Sequence, residues 1–126
     1  MSVNELIPGD LLWREKSGVW HLGIYWGSGQ VLHNSPAIGE CITAFPIFAN
    51  GKPVHVARPN PQSRTAIIQR AGQIVANPKP YSYLWRNCEH TAYEIMEGES
   101  HSPTVGKLLA LTASVGLCYL AFRYRK

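Results

Sequence analysis

The chain changes its hydrophobic period once, at Asn60-Pro61, and that change restricts the fold more than any other feature of the sequence. Before it, short apolar and aromatic runs are punctuated by glycine and proline. Val19-Trp20-His21-Leu22-Gly23-Ile24-Tyr25-Trp26, bounded by Gly18 and Gly27, reads as a strand. Ser28-Gly29 makes a tight turn into a second strand at Gln30-Val31-Leu32-His33-Asn34, so the two form a hairpin. Cys41-Ile42-Thr43 and Val54-His55-Val56-Ala57 are further short strands on either side of the loop at Asn50-Gly51-Lys52-Pro53, and Pro8-Gly9-Asp10 is a turn leading into Leu11-Leu12-Trp13. After Pro61, Ile67, Ile68, Ala71, Ile74 and Val75 recur at helical spacing until Pro78 stops the pattern. Strands first and helices second predict an α+β domain, a small antiparallel sheet with helices packed on one face.

A length of 126 residues suits one domain with a modest core. The net charge is +4, and its placement excludes one function class. All eight acidic residues and eight of the twelve basic ones precede position 107, so the excess lies entirely in Lys107, Arg123, Arg125 and Lys126. A domain that binds nucleic acid carries a basic face of its own, so no nucleic-acid partner is expected. Cys41, Cys88 and Cys118 are odd in number and widely spaced, which indicates neither a metal site nor a disulfide framework. No cofactor is implied. Met1-Ser2-Val3-Asn4-Glu5 lacks the basic-then-apolar pattern of a signal peptide, and a compartment facing the cytosol suits a working thiol.

The C-terminal stretch differs in character and divides the chain into residues 1–100 and a hydrophobic helix at 103–122. Twenty residues at about 1.5 Å per residue match the hydrocarbon thickness of a bilayer. Lys107, the one charge within it, sits near an end, while Tyr119, Tyr124 and the terminal basic residues could anchor the other boundary. A membrane-spanning anchor is the expectation; a core helix and an in-plane helix stay open, because Thr112, Ser114 and two glycines dilute the segment. The positive-inside rule leaves the C-terminus cytosolic, and a single span would then put Cys88 on the opposite side. A tail-anchored insertion or an in-plane helix would avoid that conflict.

The chemistry is expected at Asn87-Cys88-Glu89-His90. Asn87 reads as a helix N-cap and Gly98 as the matching stop, which places Cys88 in the first turn with Ala92, Ile95 and Met96 toward the core. The positive end of the helix dipole favours an anion there, so the thiol is expected to lose its proton more readily than a free cysteine. A nucleophilic thiol also needs a base and a group to orient that base. His21 and His33 stand on the two strands of the hairpin and could both project toward Cys88.

Taken together, Gly9-Asp10-Leu11-Leu12, Trp20-His21-Leu22-Gly23-Ile24-Tyr25, Val31-Leu32-His33 and Asn87-Cys88-Glu89-His90 resemble the lecithin:retinol acyltransferase family. Within it the likeness is greatest to the HRAS-like suppressor phospholipase/acyltransferases, or H-box/NC proteins. The resemblance implies a circularly permuted papain-like fold, in which the histidines precede the cysteine. It implies Cys88 as the nucleophile toward a glycerophospholipid ester, His21 as general base and acid, His33 as the group that orients His21, and the Cys88 backbone N–H as oxyanion donor. It further implies a phospholipid substrate, with the C-terminal helix holding the catalytic domain at a membrane on its cytosolic face. Thr91 departs from the aromatic residue the family commonly carries there, and the segment between the strands and the Ile67 helix is short. His90 reads as structural, His55 and His101 have no partner pattern, and Cys41 and Cys118 read as core and membrane-facing thiols. Two other readings suit the same scaffold, an amidase or peptidase and a non-catalytic interaction protein.

Overall fold

The computed structural model describes residues 2–103 and 105. After a 3-10 turn at Val3–Glu5 the chain forms β1 (Leu11–Lys16), β2 (Val19–Gly27), β3 (Gln30–Ser35), β4 (Gly39–Ala44), α1 (Phe45–Ala49), β5 (His55–Ala57), α2 (Pro61–Ala76) and α3 (Cys88–Glu97). The five strands make one antiparallel sheet in the order β4-β3-β2-β1-β5. The two hairpin turns around β2 place Ser17 and Gly18, then Ser28 and Gly29, at positive φ, the backbone that two-residue turns need to match strand twist. The α+β class read from the sequence is therefore the class observed.

The sheet buries both faces. Alternation along the strands sends Leu11, Trp13, Leu22, Ile24 and Leu32 to one side, where they pack with Ile67, Ala71 and Ile74 of α2 and with Ala92, Tyr93 and Ile95 of α3. Leu12, Tyr25, Val31 and Val56 point the other way and pack with Leu6 and with Phe48 of α1. The expectation of helices on one face is thus corrected. Helix α1 is short and carries Pro46, so no helical period could be read from it, yet Phe48 is fully buried beneath the second face. Ile68, counted in the apolar stripe of α2, is instead 43% exposed, since the face of α2 turned to the sheet seats Ile67, Ala71 and Ile74, with Val75 at its margin.

Asp10 bolts the entry of β1 to the β5–α2 link. Its fully buried carboxylate accepts hydrogen bonds from Arg58 Nε (3.1 Å) and Nη2 (2.9 Å) and from the backbone N–H of Ile7 (2.9 Å). A buried carboxylate is tolerated where its oxygens are met in this way. Pro8-Gly9-Asp10 is therefore a structural clasp.

The hydrophobic segment expected at residues 103–122 lies, apart from Pro103 and Val105, outside the described residues, and so does Cys118. Among the described residues no helix is long and apolar enough to cross a membrane.

Gly23 sits opposite His33 on β3, and a Cβ there would meet Phe48 Cε1 and Val31 Cγ1, both at 2.7 Å. Gly23→Ala is expected to force Phe48 out of its seat and lower stability by about 1–3 kcal/mol, the usual cost of overpacking. Urea unfolding followed by circular dichroism would measure it; an unchanged midpoint would mean that Phe48 is not held against the strand.

Candidate active site

Three strands set the histidines. His21 pairs with Arg14 on β1, and His33 pairs with Gly23 on β2, so the two imidazoles are diagonal neighbours on the Phe48 face of the sheet. His21 Nε2 and His33 Nδ1 are 2.9 Å apart, with the rings nearly perpendicular at 86°. Phe48 occupies the space that Gly23 leaves, stacking on His21 at 5.4 Å and meeting His33 edge-on at 5.4 Å. Arg14 Nε donates to the Phe48 carbonyl at 2.8 Å and ties α1 down over the pair. Beyond His33, the ring Nε2 lies 2.9 Å from Thr43 Oγ1 and 3.9 Å from Cys41 Sγ, both on β4.

Burial, then mutual and Arg14 repulsion, push His21 down to about 3. Burial and Arg14 push His33 down to about 4. Both rings are therefore neutral near pH 7, and their contact is consistent with this, since two cations at that distance would repel.

Helix α3 lies on the opposite face, so its first residue must reach the histidines around an edge. The sheet supplies that edge. Strand β3 pairs with β2 only from Gly23 to Gly27, while Asn34 and Ser35 stay with β4, leaving residues 19–22 of β2 paired to β1 alone. Into this splay comes Cys88, whose Sγ donates to the Trp20 carbonyl at 3.7 Å and is also met by the Leu22 backbone N–H. These two groups flank His21 in sequence, and His21 and Cys88 line the same cavity of about 210 Å³, together with Lys16, Val19, Tyr83, Asn87 and Glu89 among others. His33 is not part of that lining and meets the cavity only through His21.

The first turn of α3 is capped on both sides. Asn87 Oδ1 accepts from the N–H groups of Glu89 (2.8 Å) and His90 (3.2 Å), and His90 Nδ1 accepts from the Asn87 N–H at 3.0 Å. His90 is thus a capping residue. Arg86, just upstream, is gripped by Glu40 Oε2 (2.6 Å) and Glu94 Oε1 (2.7 Å), and Thr91 Oγ1 donates to the same Glu40 oxygen at 2.7 Å while accepting from Asn34 Nδ2 at 3.1 Å. Thr91, the departure from the family pattern, therefore joins a buried polar network that holds the turn before Cys88.

The thiol does not behave as its helix position predicts. Burial pushes Cys88 up to about 11, outweighing the N–H of Leu22, Lys16 and the N–H of Glu89, which favour the thiolate, and Glu89 adds repulsion. Desolvation exceeds the dipole because removing an anion from water costs more than one helix terminus returns. Of the remaining histidines, His55 stacks on Trp13 at 5.6 Å and meets Trp20 of the cavity wall edge-on at 5.7 Å, and His101 stacks on Tyr93 at 4.4 Å; neither lines the cavity itself.

Thr43, Gly23 and Phe48 were not legible as site residues. Thr43 follows Cys41 by two, and only the register that sets Cys41 opposite His33 brings its hydroxyl to the ring. Helix α1 carries no periodic signal, so nothing in the sequence ties Phe48 to Gly23.

The family model described as Lecithin retinol acyltransferase matches residues 47–101. That stretch carries Cys88 and neither histidine, so the histidines rest on the strand geometry. The chain is also similar to phospholipase A and acyltransferase 4 of Homo sapiens, 25% identical over 153 aligned positions that cover 94% of this chain and 92% of that protein. It is 28% identical to phospholipase A and acyltransferase 2 of Homo sapiens over 133 positions, covering 86% and 82% respectively. At modest identity, these likenesses bear out the resemblance that the motifs carry.

The lowered histidine pKa values give the stability of the fold a pH dependence with a definite sign. Below 6.5 the unfolded chain takes up protons at His21 and His33 that the folded chain refuses until about 3 and about 4. Stability is therefore present above 6.5 and lost as pH falls toward those values, with a slope of at most about 1.4 kcal/mol per pH unit for each ring. Urea midpoints measured from pH 7 to pH 4.5 should fall steadily, and less steeply in His33→Gln. A midpoint that rises on acidification would contradict neutral burial of the pair.

Proposed function

We propose that this chain, similar in sequence to human phospholipase A and acyltransferases, is itself a thiol-dependent phospholipase A/acyltransferase acting on glycerophospholipid esters. One observation carries the reading. Cys88 and His21 share a cavity, and the far nitrogen of His21 is committed to His33 at 2.9 Å.

In the proposed reaction Cys88 Sγ attacks the ester carbonyl and becomes a thioester. Because Nε2 of His21 is bonded to His33, the nitrogen left to serve the thiol is Nδ1. The hydroxyl of Thr43 then decides whether Nδ1 can act as a base. If Thr43 Oγ1 accepts from His33 Nε2–H, His33 Nδ1 must accept from His21 Nε2–H, and His21 Nδ1 keeps its lone pair. The opposite arrangement would protonate His21 Nδ1 and remove the base. Both partners start neutral, so the proton moves as the sulfur–carbon bond forms, and the resulting imidazolium strengthens its hydrogen bond to His33.

The backbone N–H of Cys88 opens α3 and is left over by the Asn87 side chain, which takes those of Glu89 and His90. It is the candidate donor to the carbonyl oxygen as charge develops. The imidazolium would next protonate the leaving lyso-lipid, and water or a second acceptor would be activated by the same nitrogen to release the acyl group. Water gives phospholipase A activity; an amine or lyso-lipid gives acyl transfer.

The remaining parts of the reading are proposals on the same footing. The order of histidines before cysteine fits a circularly permuted papain-like domain over residues 1–100. Residues 103–122 would hold it at a membrane, with the cavity on the cytosolic side.

Fatty-acid release from phosphatidylcholine by the full chain tests this reading. Cys88→Ala should abolish it, and His21→Ala should lower it by about 10²–10⁴-fold, the usual worth of a positioned base. Thr43→Val should cost about five- to ten-fold, as for loss of a hydrogen bond worth about 1 kcal/mol, while Thr43→Ser retains activity. Activity that survives Cys88→Ala would sink the proposal, and equal activity of the valine and serine variants at position 43 would remove the tautomer argument.

A further inference from the structure

The cavity beside Cys88 is small for the substrate proposed. Pockets that enclose a whole ligand run to about 300–1,000 Å³, whereas this one offers about 210 Å³. It has room for an ester group and a few carbons. Two long acyl chains must therefore stay outside, and the rim must meet whatever holds them.

That rim is apolar and comes from three separate connections. The β1–β2 hairpin end supplies Val19 at the start of β2, 44% exposed, and the β3–β4 turn supplies Pro36 at the cavity and Ile38, 69% exposed, two residues along the chain. The loop before α3 supplies Tyr83 at the cavity wall, followed by Leu84 and Trp85, which are 39% and 76% exposed. The loop does not fold these side chains inward, because its ends are pinned. Ser82 and Arg86 exchange two backbone hydrogen bonds of 2.8 Å, Asn87 Nδ2 donates to the Tyr83 carbonyl at 2.8 Å, and Arg86 is anchored by Glu40 and Glu94. Lys16 brings a positive charge to the same cavity.

We propose that this rim, with Leu84 and Trp85 at its tip, is a docking surface for a phospholipid leaflet, seating the mouth of the Cys88 cavity against the lipid ester region. Aromatic side chains with one polar end favour the headgroup boundary, and an aliphatic neighbour reaches below it. Lys16 faces phosphate from the cavity. The lipid keeps its chains in the leaflet and raises only its ester into the site, which resolves the mismatch of volumes. The proposal rests on the phospholipid reading of the site, and it locates contact on the folded domain itself, independently of residues 103–122.

Two measurements on the full chain test it. Phosphatidylcholine vesicles containing acyl chains brominated below the headgroup should quench part of the tryptophan fluorescence of the native chain, and Trp85→Phe should lose that component. Leu84→Ser combined with Trp85→Ser should cut turnover of vesicle phosphatidylcholine by at least about ten-fold, since withdrawing even one large apolar side chain from water is worth about that factor. The same variant should leave turnover of a short-chain phosphatidylcholine, dissolved below its micelle concentration, within about two-fold, since only the uniform binding to the surface is lost. Quenching identical in native chain and Trp85→Phe would overturn the proposal and direct the rim to a protein partner instead. Equal losses on vesicles and on dissolved lipid would overturn it as well. If the native chain turns over neither lipid, the enzymatic reading fails, while the quenching still decides whether the rim docks.

Discussion

The hydrogen bond between His21 and His33 excludes two charged rings at once, and the structure around the pair favours the neutral form of both at rest. The pair lies under Phe48 on a face where burial and the Arg14 guanidinium both disfavour protonation. Gly23 is what lets the aromatic ring come so close, and the Arg14 bond to the Phe48 carbonyl keeps it there. The second face of the sheet is thus both a small apolar core and the seat that holds the two neutral rings in one orientation.

The thiol approaches from the other side of the same sheet. A continuous sheet would put its backbone between α3 and the histidines, since side chains of opposite faces point away from each other. The departure of β3 from β2 beyond the Gly23–His33 pair removes that barrier locally at residues 19–22 and lets Cys88 meet the backbone on either side of His21. The buried network of Arg86, Glu40, Glu94, Thr91 and Asn34 holds the approaching turn. Among the described residues Asn34 Oδ1 is the buried oxygen of this network without a hydrogen-bond partner, and the charged members are each met.

Much of this was legible in advance where the signal is local. Glycine-bounded aromatic runs gave the strands, helical spacing gave α2, and Asn87 with Gly98 gave the bounds of α3. The hairpin placed His21 and His33 on neighbouring strands, but it did not show that both rings lie on the Phe48 face, away from α3, with only His21 reaching the Cys88 cavity. What was not legible depends on register and on competition between terms. Thr43 reaches His33 only through the β3–β4 register, and Phe48 rides on a helix too short to show a period. The Cys88 thiol was expected to be acidified by its helix terminus, and burial reverses that expectation, because a sequence shows which dipole is near and not how much water is lost.

The central claim is that the Cys88 sulfur takes an acyl group from a phospholipid. Intact-mass measurement of the full chain after brief incubation with phosphatidylcholine vesicles tests this most directly. The account predicts a mass increase equal to one acyl chain of the lipid supplied, located at Cys88 by peptide mapping and absent from Cys88→Ser. A native chain that releases fatty acid with the acyl group found on another residue, or that gains no acyl mass even when hydroxide and acceptors are limiting, would contradict it.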